Sequence, residues 1–174
     1  RNCDDLAQIV SSIADLMRYS ITNADSLVNI GQELSNIADF ISIYQLRHHN
    51  RLHLETQLDS EHILIPKFTL QPLVENSICH GKPAGSEDLR ITIHAYEEND
   101  RTVIEVQDNG IGCNAEVLNC HLKYEETDLK LSGGFGIRNV NERIRLRFGP
   151  ESGLTFRNAP DGTLTAQITL KPSI

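Results

Sequence analysis

Four short segments carry residue types that could do chemistry. Asp108-Asn109-Gly110-Ile111-Gly112 stands directly after an alternating apolar run. A carboxylate at a strand end can accept a hydrogen bond from an exocyclic amine, and glycines let the chain approach a ligand closely. The same Asp-Asn-Gly also makes an ordinary turn. Gly133-Gly134-Phe135-Gly136 precedes a helical pattern. Glycines there either expose backbone N–H groups and the positive end of a helix dipole to a phosphate, or hinge the loop before them. Asp161-Gly162-Thr163, between two strand-like runs, reads alone as a hairpin turn. The fourth segment, Glu75-Asn76-Ser77-Ile78-Cys79-His80, places Asn76 and His80 four apart, on one helical face. An amide oxygen at Asn76 suits a hard cation such as Mg²⁺, which takes few protein ligands, or else is a helix-surface amide. No Gly-Lys-Ser/Thr follows the glycine cluster, so it is not a P-loop. No GxGxxG follows the first strand pattern, which sets aside a Rossmann fingerprint.

The elements that must position these residues follow from periodicity. Residues 4 to 48 read as helix, with one stripe through Leu6, Ile9, Val10, Ile13, Leu16 and Met17. The turn-rich Thr22 to Ser26 breaks it, and a second stripe runs through Leu27, Ile30, Leu34, Ile37, Ile41 and Tyr44. Such stripes need a partner: the pair either docks as a hairpin on its own domain or joins a dimeric bundle. From Arg51 the alternation of Leu52 and Leu54 predicts a strand. A helix ending at Gly81 follows, beginning near Pro72 or kinked there. LRITIHAY and RTVIEVQ predict a hairpin around Glu98-Asn99-Asp100. Cys113 to Gly134 reads as a long loop with one short helix. A helix then stops at Gly149, and two strands flank Asp161-Gly162. The expected class is α+β: a helical segment over 1–50 and an α/β domain over 51–174.

Composition limits the partners. The 174 residues carry 16 Lys and Arg against 24 Asp and Glu, a net charge of −8. That balance argues against broad nucleic-acid binding, which needs a basic footprint, but leaves room for a small phosphorylated ligand. No apolar run approaches the roughly 20 residues of a membrane span, and RNCDDLAQIV lacks a signal-peptide pattern. Cys3, Cys79, Cys113 and Cys120 form no CxxC pair, as expected of reduced thiols in a cytosolic setting.

In sequence order, PLVENSICHG, DNGIG, GGFGIRNVNERI and DGT resemble the N, G1, G2 and Gly-Thr boxes of the GHKL ATP-binding fold. More narrowly the chain resembles the LytS/YesM-type bacterial sensor histidine kinases. LMRYSI, IGQELSNIADFISIYQLRHHNRL and IPKFTLQPLVEN are similar to that family's linker from dimerisation helices into the catalytic domain. The resemblance implies three helices over a mixed sheet, with ATP between the N-box helix and a mobile lid over 113–133. By carry-over, Asn76 ligates Mg²⁺ and Asp108 accepts from the adenine amino group, with Gly110, Ile111 and Gly112 lining the base. Gly134, Phe135, Gly136 and Ile137 form the phosphate-side segment, where Gly134 and Gly136 present backbone amides. His80 joins the nucleotide set, Thr163 supports adenine recognition, and Glu75 matches the superfamily's general-base position.

The implied activity is transfer of the ATP γ-phosphoryl group to a histidine, then to a response regulator. The implied setting is the cytoplasmic portion of a membrane-anchored bacterial protein, dimeric through its N-terminal helices. The sequence departs from the family at two points. Cys79 stands where a lysine is common, with His80 or Arg138 as possible compensating cations. No NPHFLYN-like motif is present, so the acceptor histidine is expected outside this chain, and none of the seven histidines takes its place. A nucleotide-binding regulatory module without kinase turnover is the alternative that Cys79 keeps open.

Overall fold

The computed structural model describes residues 26–48, 51–60, 62–81, 88–123 and 134–171. The expected helix over 4–22, Cys3, the loop after Gly81 and Gly133 lie outside the described residues, as does the later part of the lid stretch. The described elements are β1 (Leu27–Asn29), α1 (Ile30–His48), β2 (Leu52–Leu58), β3 (Leu64–Pro66), α2 (Gln71–His80) and β4 (Leu89–Glu98). After them come β5 (Arg101–Asp108), α3 (Ala115–Lys123), α4 (Gly134–Phe148), β6 (Gly153–Asn158) and β7 (Leu164–Leu170).

Period-two alternation builds the main sheet. Its order is β2-β4-β5-β7-β6, with β2 parallel to β4 and the other pairs antiparallel. Ile91, Ile93, Ile104, Val106, Ala166 and Ile168 alternate onto one face and are buried, while Arg90, Thr92, Gln107 and Gln167 take the other. The described helices cover only the apolar face, as an antiparallel-rich sheet permits. Their stripes (Ile30, Ile37 and Ile41; Leu73, Val74 and Ile78; Ala115 and Leu118; Ile137, Val140 and Ile144) join the same core. The expected hairpin forms: Glu98 pairs with Arg101, and Asn99 and Asp100 take φ of 51° and 58°, the geometry of a two-residue type I′ turn.

One element differs from expectation. Leu27 is not helical, because Leu27–Asn29 pairs antiparallel with Leu64–Pro66. The helix starts one residue after Asn29, whose Oδ1 accepts from Gly31 N at 2.8 Å while Gln32 Oε1 accepts from Asn29 N at 3.2 Å. Asn29 is thus the N-cap of α1, and Gln32 supplies the return bond of a capping box. In the stretch read as a long loop with one short helix, that helix is α3, of nine residues. Asn114 Oδ1 accepts from Glu116 N at 2.8 Å to start it, and Asn119 exchanges two hydrogen bonds with the Phe156 backbone on β6. The first half of the lid stretch is therefore a helix tied to the sheet edge. Pro72 sits in the first turn of α2, where its missing N–H costs nothing. Among the described residues no helix is long and apolar enough to cross a membrane.

Candidate functional site

The α2 helix turns Leu73, Val74, Ser77 and Ile78 inward, so the residues between them line its outer flank. Glu75 and Asn76 are half-buried, and Cys79 and His80 are exposed. Glu75 Oε1 accepts from Gln71 Nε2 at 2.8 Å, one turn earlier. Pro72, Asn76 and His80 share one face at four-residue steps.

The C-terminal end of α2 closes against the Asp108 segment. A Cβ built on Gly81 would lie 2.9 Å from Asp108 Oδ1, and one built on Gly110 would lie 2.5 Å from the Gly81 backbone. The two glycines interlock because neither has a side chain. Asp108 is 6% exposed, and its Oδ1 accepts from Gly110 N at 3.0 Å. Gly112 has φ +72°, and a Cβ there would meet Gly162 O at 2.1 Å. The DNGIG segment is thus held between the end of α2 and the Asp161-Gly162-Thr163 turn. Asn109 fixes its other side: Oδ1 accepts from Arg90 N at 2.7 Å and Nδ2 donates to Asp88 O at 3.0 Å.

Asp108 and Thr163 line one cleft of about 240 Å³ with Arg90, Thr92, Gln107, Asn109 and Asp161. Thr163 N donates to Asp161 Oδ1 at 2.9 Å, and its hydroxyl donates to the same oxygen. These bonds hold the Asp161 carboxyl below the usual carboxylate range. The Thr163 hydroxyl spends its proton on Asp161 and keeps its lone pairs for accepting.

The other end of α2 meets the glycine-rich start of α4. A Cβ on Gly136 would lie 3.5 Å from the Pro72 Cβ. From Pro72 to Gly81 the helix rises about 14 Å, so α2 links a glycine-rich helix N-terminus to the Asp108 carboxylate. Asn76 stands one turn along from Pro72. Gly134 and Phe135 open α4, and Ile137 is buried in the core. Ile111 is 68% exposed beside Gly110. Arg138 Nε donates to Glu142 Oε1 at 2.9 Å, one turn on.

No cluster of three or more His, Cys, Asp or Glu suited to a metal occurs among the described residues. The single amide of Asn76 fits a hard cation whose remaining ligands are water and phosphate oxygen. Cys79, Cys113 and Cys120 are free and exposed. Sequence reasoning missed Gly81, Asn109 and Asp161 as parts of the site. Gly81 was legible only as a helix stop, because its contact with Asp108 joins residues far apart in the chain.

A mixed sheet with helices on one face, and glycine-rich segments at both ends of one helix, is the two-layer α+β class of the GHKL ATP-binding fold. Residues 64–174 match the sequence profile described as histidine kinase-, DNA gyrase B-, and HSP90-like ATPase; the chain belongs to that family. Residues 1–52 match the histidine kinase profile. The chain is 32% identical over 167 residues to sensor histidine kinase YesM of Bacillus subtilis (strain 168), covering 95% of this chain and 27% of YesM. It is 29% identical over 163 residues to sensor protein kinase HptS of Staphylococcus aureus (strain USA300), covering 91% and 31%. The chain therefore spans about 30% of the length of these relatives. Among solved structures, the nucleotide-free catalytic domain of histidine kinase ThkA superposes with a TM-score of 0.63 at 13% identity, covering 84% of this chain and 94% of that one. ThkA in complex with response regulator protein TrrA gives 0.57 at 16% identity, covering 98% and 49%.

Proposed function

We propose that this chain is the ATP-binding catalytic region of a two-component sensor histidine kinase. The observation that carries this reading is the interlock of Gly81, Gly110 and Asp108 at one end of α2, with Gly136 against Pro72 at the other. A nucleotide lying along α2 meets a carboxylate acceptor for its base and helix N–H groups for its phosphates.

In this reading Asp108 accepts from the adenine amino group and Thr163 supports the base. Gly110, Ile111 and Gly112 line it. The amides of Gly134 and Gly136 face the phosphates, with Phe135 and Ile137 in the same segment and His80 at the exposed end of α2. Asn76 holds Mg²⁺, which supplies charge neutralisation on the phosphate oxygens. Glu75 occupies the general-base position, oriented by Gln71. The reaction breaks the bond between the γ-phosphorus and its bridging oxygen, releases ADP and forms a phosphorus–nitrogen bond on a histidine outside this chain. The phosphoryl group then passes to an aspartate of a response regulator. The protein's contribution is positioning and electrostatics, as phosphoryl transfer requires.

Residues 1–50 are read as part of the dimerisation and linker region, and 51–174 as the ATPase domain. The whole protein is read as bacterial and membrane-anchored through parts outside this chain, with this region cytoplasmic. Light scattering that finds only monomer removes the dimer assignment.

The site is tested by calorimetric titration of a non-hydrolysable ATP analogue, with and without Mg²⁺, on this chain and on Asn76→Ala. Mg²⁺-dependent binding that weakens in the variant is the expected result. Absence of binding at millimolar nucleotide overturns the site. Binding by the whole protein without acid-labile phosphate from radiolabelled ATP favours instead a regulatory module without kinase turnover, the reading attached to Cys79.

A further inference from the structure

The α2 helix has almost nothing of its own to hold its start. Leu70 occupies the N-cap without a side-chain bond, Pro72 lacks an N–H, and the first turn has no acidic residue. The turn before it is strained, with Phe68 at φ +58°, a region that non-glycine residues occupy at a cost. Two charged side chains from distant elements grip this turn. Glu33 of α1, 1% exposed, accepts from three successive amides: Phe68 N at 2.7 Å, Thr69 N at 3.0 Å and Leu70 N at 3.1 Å. Arg143 of α4 donates from Nη1 to Lys67 O and from Nη2 to Phe68 O, each at 2.7 Å.

Stability alone does not require this arrangement. A Ser or Asp at position 70 would cap α2 locally, whereas burying a carboxylate is costly unless every lone pair is met. The distant clamp adds a fixed relation among three helices. Arg143 lies seven residues after Gly136, two turns along α4 and on the same face, so α4 touches the start of α2 at both points. Asn76 follows Leu70 by less than two turns, within the part of α2 that the clamp fixes.

We propose that Glu33 and Arg143 are positioning residues for the phosphate end of the nucleotide site, holding Asn76 and the glycine-rich start of α4 in register through the Lys67–Leu70 turn. This rests on the reading of α2 as the nucleotide helix. The base end is held independently, by Gly81, Gly110 and Asp108. The two ends therefore respond differently when the clamp is loosened.

The test compares Glu33→Gln and Arg143→Lys with the unaltered chain, using a non-hydrolysable ATP analogue with Mg²⁺ and, separately, adenosine. Loss of one charge-assisted hydrogen bond predicts about tenfold weaker binding of the Mg²⁺–nucleotide, with adenosine held within about twofold. Hydrogen exchange at the Phe68, Thr69 and Leu70 amides should quicken in Glu33→Gln. Ile168→Val, which loosens the core on β7 rather than on the clamp helices, should leave the ratio of the two affinities unchanged. If Glu33→Gln does not fold, Arg143→Lys, which keeps the charge and loses the fork, carries the test. Both affinities unchanged in folded variants, or both falling in step with melting temperature, would overturn the assignment. Failure of the unaltered chain to bind either probe sinks the nucleotide reading instead, and this inference with it.

Discussion

At position 81 the helix that carries Glu75 and Asn76 stops against the carboxylate at the end of β5, and the fit leaves no room for a methyl group. The Gly81 backbone has φ −81° and ψ 36°, which other residues can adopt, so close approach rather than conformation demands glycine there. In Gly81→Ala the new carbon would press on Asp108 Oδ1 at 2.9 Å and Ser77 O at 2.4 Å. Overpacking of this kind costs about 1–3 kcal/mol, and here it also displaces the Asp108 carboxylate that we propose as the base acceptor. The expected outcome is a lowered Tm together with loss of adenosine affinity, read by thermal melt and calorimetry. An adenosine affinity equal to that of the unaltered chain would mean that Asp108 is not the base acceptor. At Asp161 the sign of the pH effect follows from the direction of its shift. Its folded-state carboxyl is held low by the Thr163 hydroxyl and amide. Its contribution is therefore fully present above the ordinary carboxylate pKa of about 4 and is lost as pH falls through the lower folded value. The Tm difference between the unaltered chain and Asp161→Asn should be constant at neutral pH and shrink below about pH 4. A difference that grows on acidification would contradict the Thr163 contacts.

Elements show which parts of this molecule the sequence could announce. The five strands of the main sheet were legible because each alternates apolar and polar residues against one covered face, whereas the short β1–β3 pair was not. The hairpin was legible because Asn99-Asp100 accepts positive φ. The start of α1 was legible in principle: Asn29 and Gln32 are three apart, the spacing of a capping box, yet the turn-rich stretch before Ser26 drew the boundary early. The α3 helix was harder to see, since Ala115 and Leu118 are its only buried residues and its anchor is an amide on a strand 37 residues away. The clamp on α2 was not legible, because Glu33 meets the turn across 35 to 37 positions and reads in sequence as one more acidic residue on a helix. The same logic of distant amides governs the sheet edge. Asn119 donates to Phe156 O and accepts from Phe156 N, both at 2.8 Å, while Asn141 Oδ1 accepts from Leu154 N at 2.9 Å. These side chains take the place of a neighbouring strand and close an edge that would otherwise invite pairing. Asn119→Leu leaves both Phe156 groups without their partner and should cost about 1–3 kcal/mol in denaturant melts. It should also raise the tendency to self-associate at high concentration. A variant as stable and as monodisperse as the unaltered chain would show that water satisfies the edge equally well.

For the whole molecule, the question is where the folding unit begins. The compositional change near residue 50 separates helix from alternating strands, and the two family profiles meet between residues 52 and 64. Packing draws the line elsewhere. Ile30, Ile37 and Ile41 of α1 belong to the same buried cluster as Ile78, Ile93 and Ile168. β1 supplies the only partner of β3 among the described elements, and Glu33 fixes the turn before α2. Burying one isoleucine contributes about 1.5–3 kcal/mol, so three contribute about 5–9 kcal/mol. That is comparable with the whole stability of an ordinary domain, about 5–15 kcal/mol. A chain beginning at residue 51 should therefore be unfolded or molten, with dispersed amide signals lost, whereas one beginning at residue 26 should fold and keep its nucleotide affinity. The shorter chain also loses Glu33, so rescue by added nucleotide would be weak even where some folded population survives. If residues 51–174 instead give a cooperative melt and unchanged affinity, α1 is a docked passenger whose apolar stripe is free for a second subunit. If they do not, the helix that links this region to whatever precedes it is built into the ATP-binding core, and any displacement of that helix is felt at the start of α2.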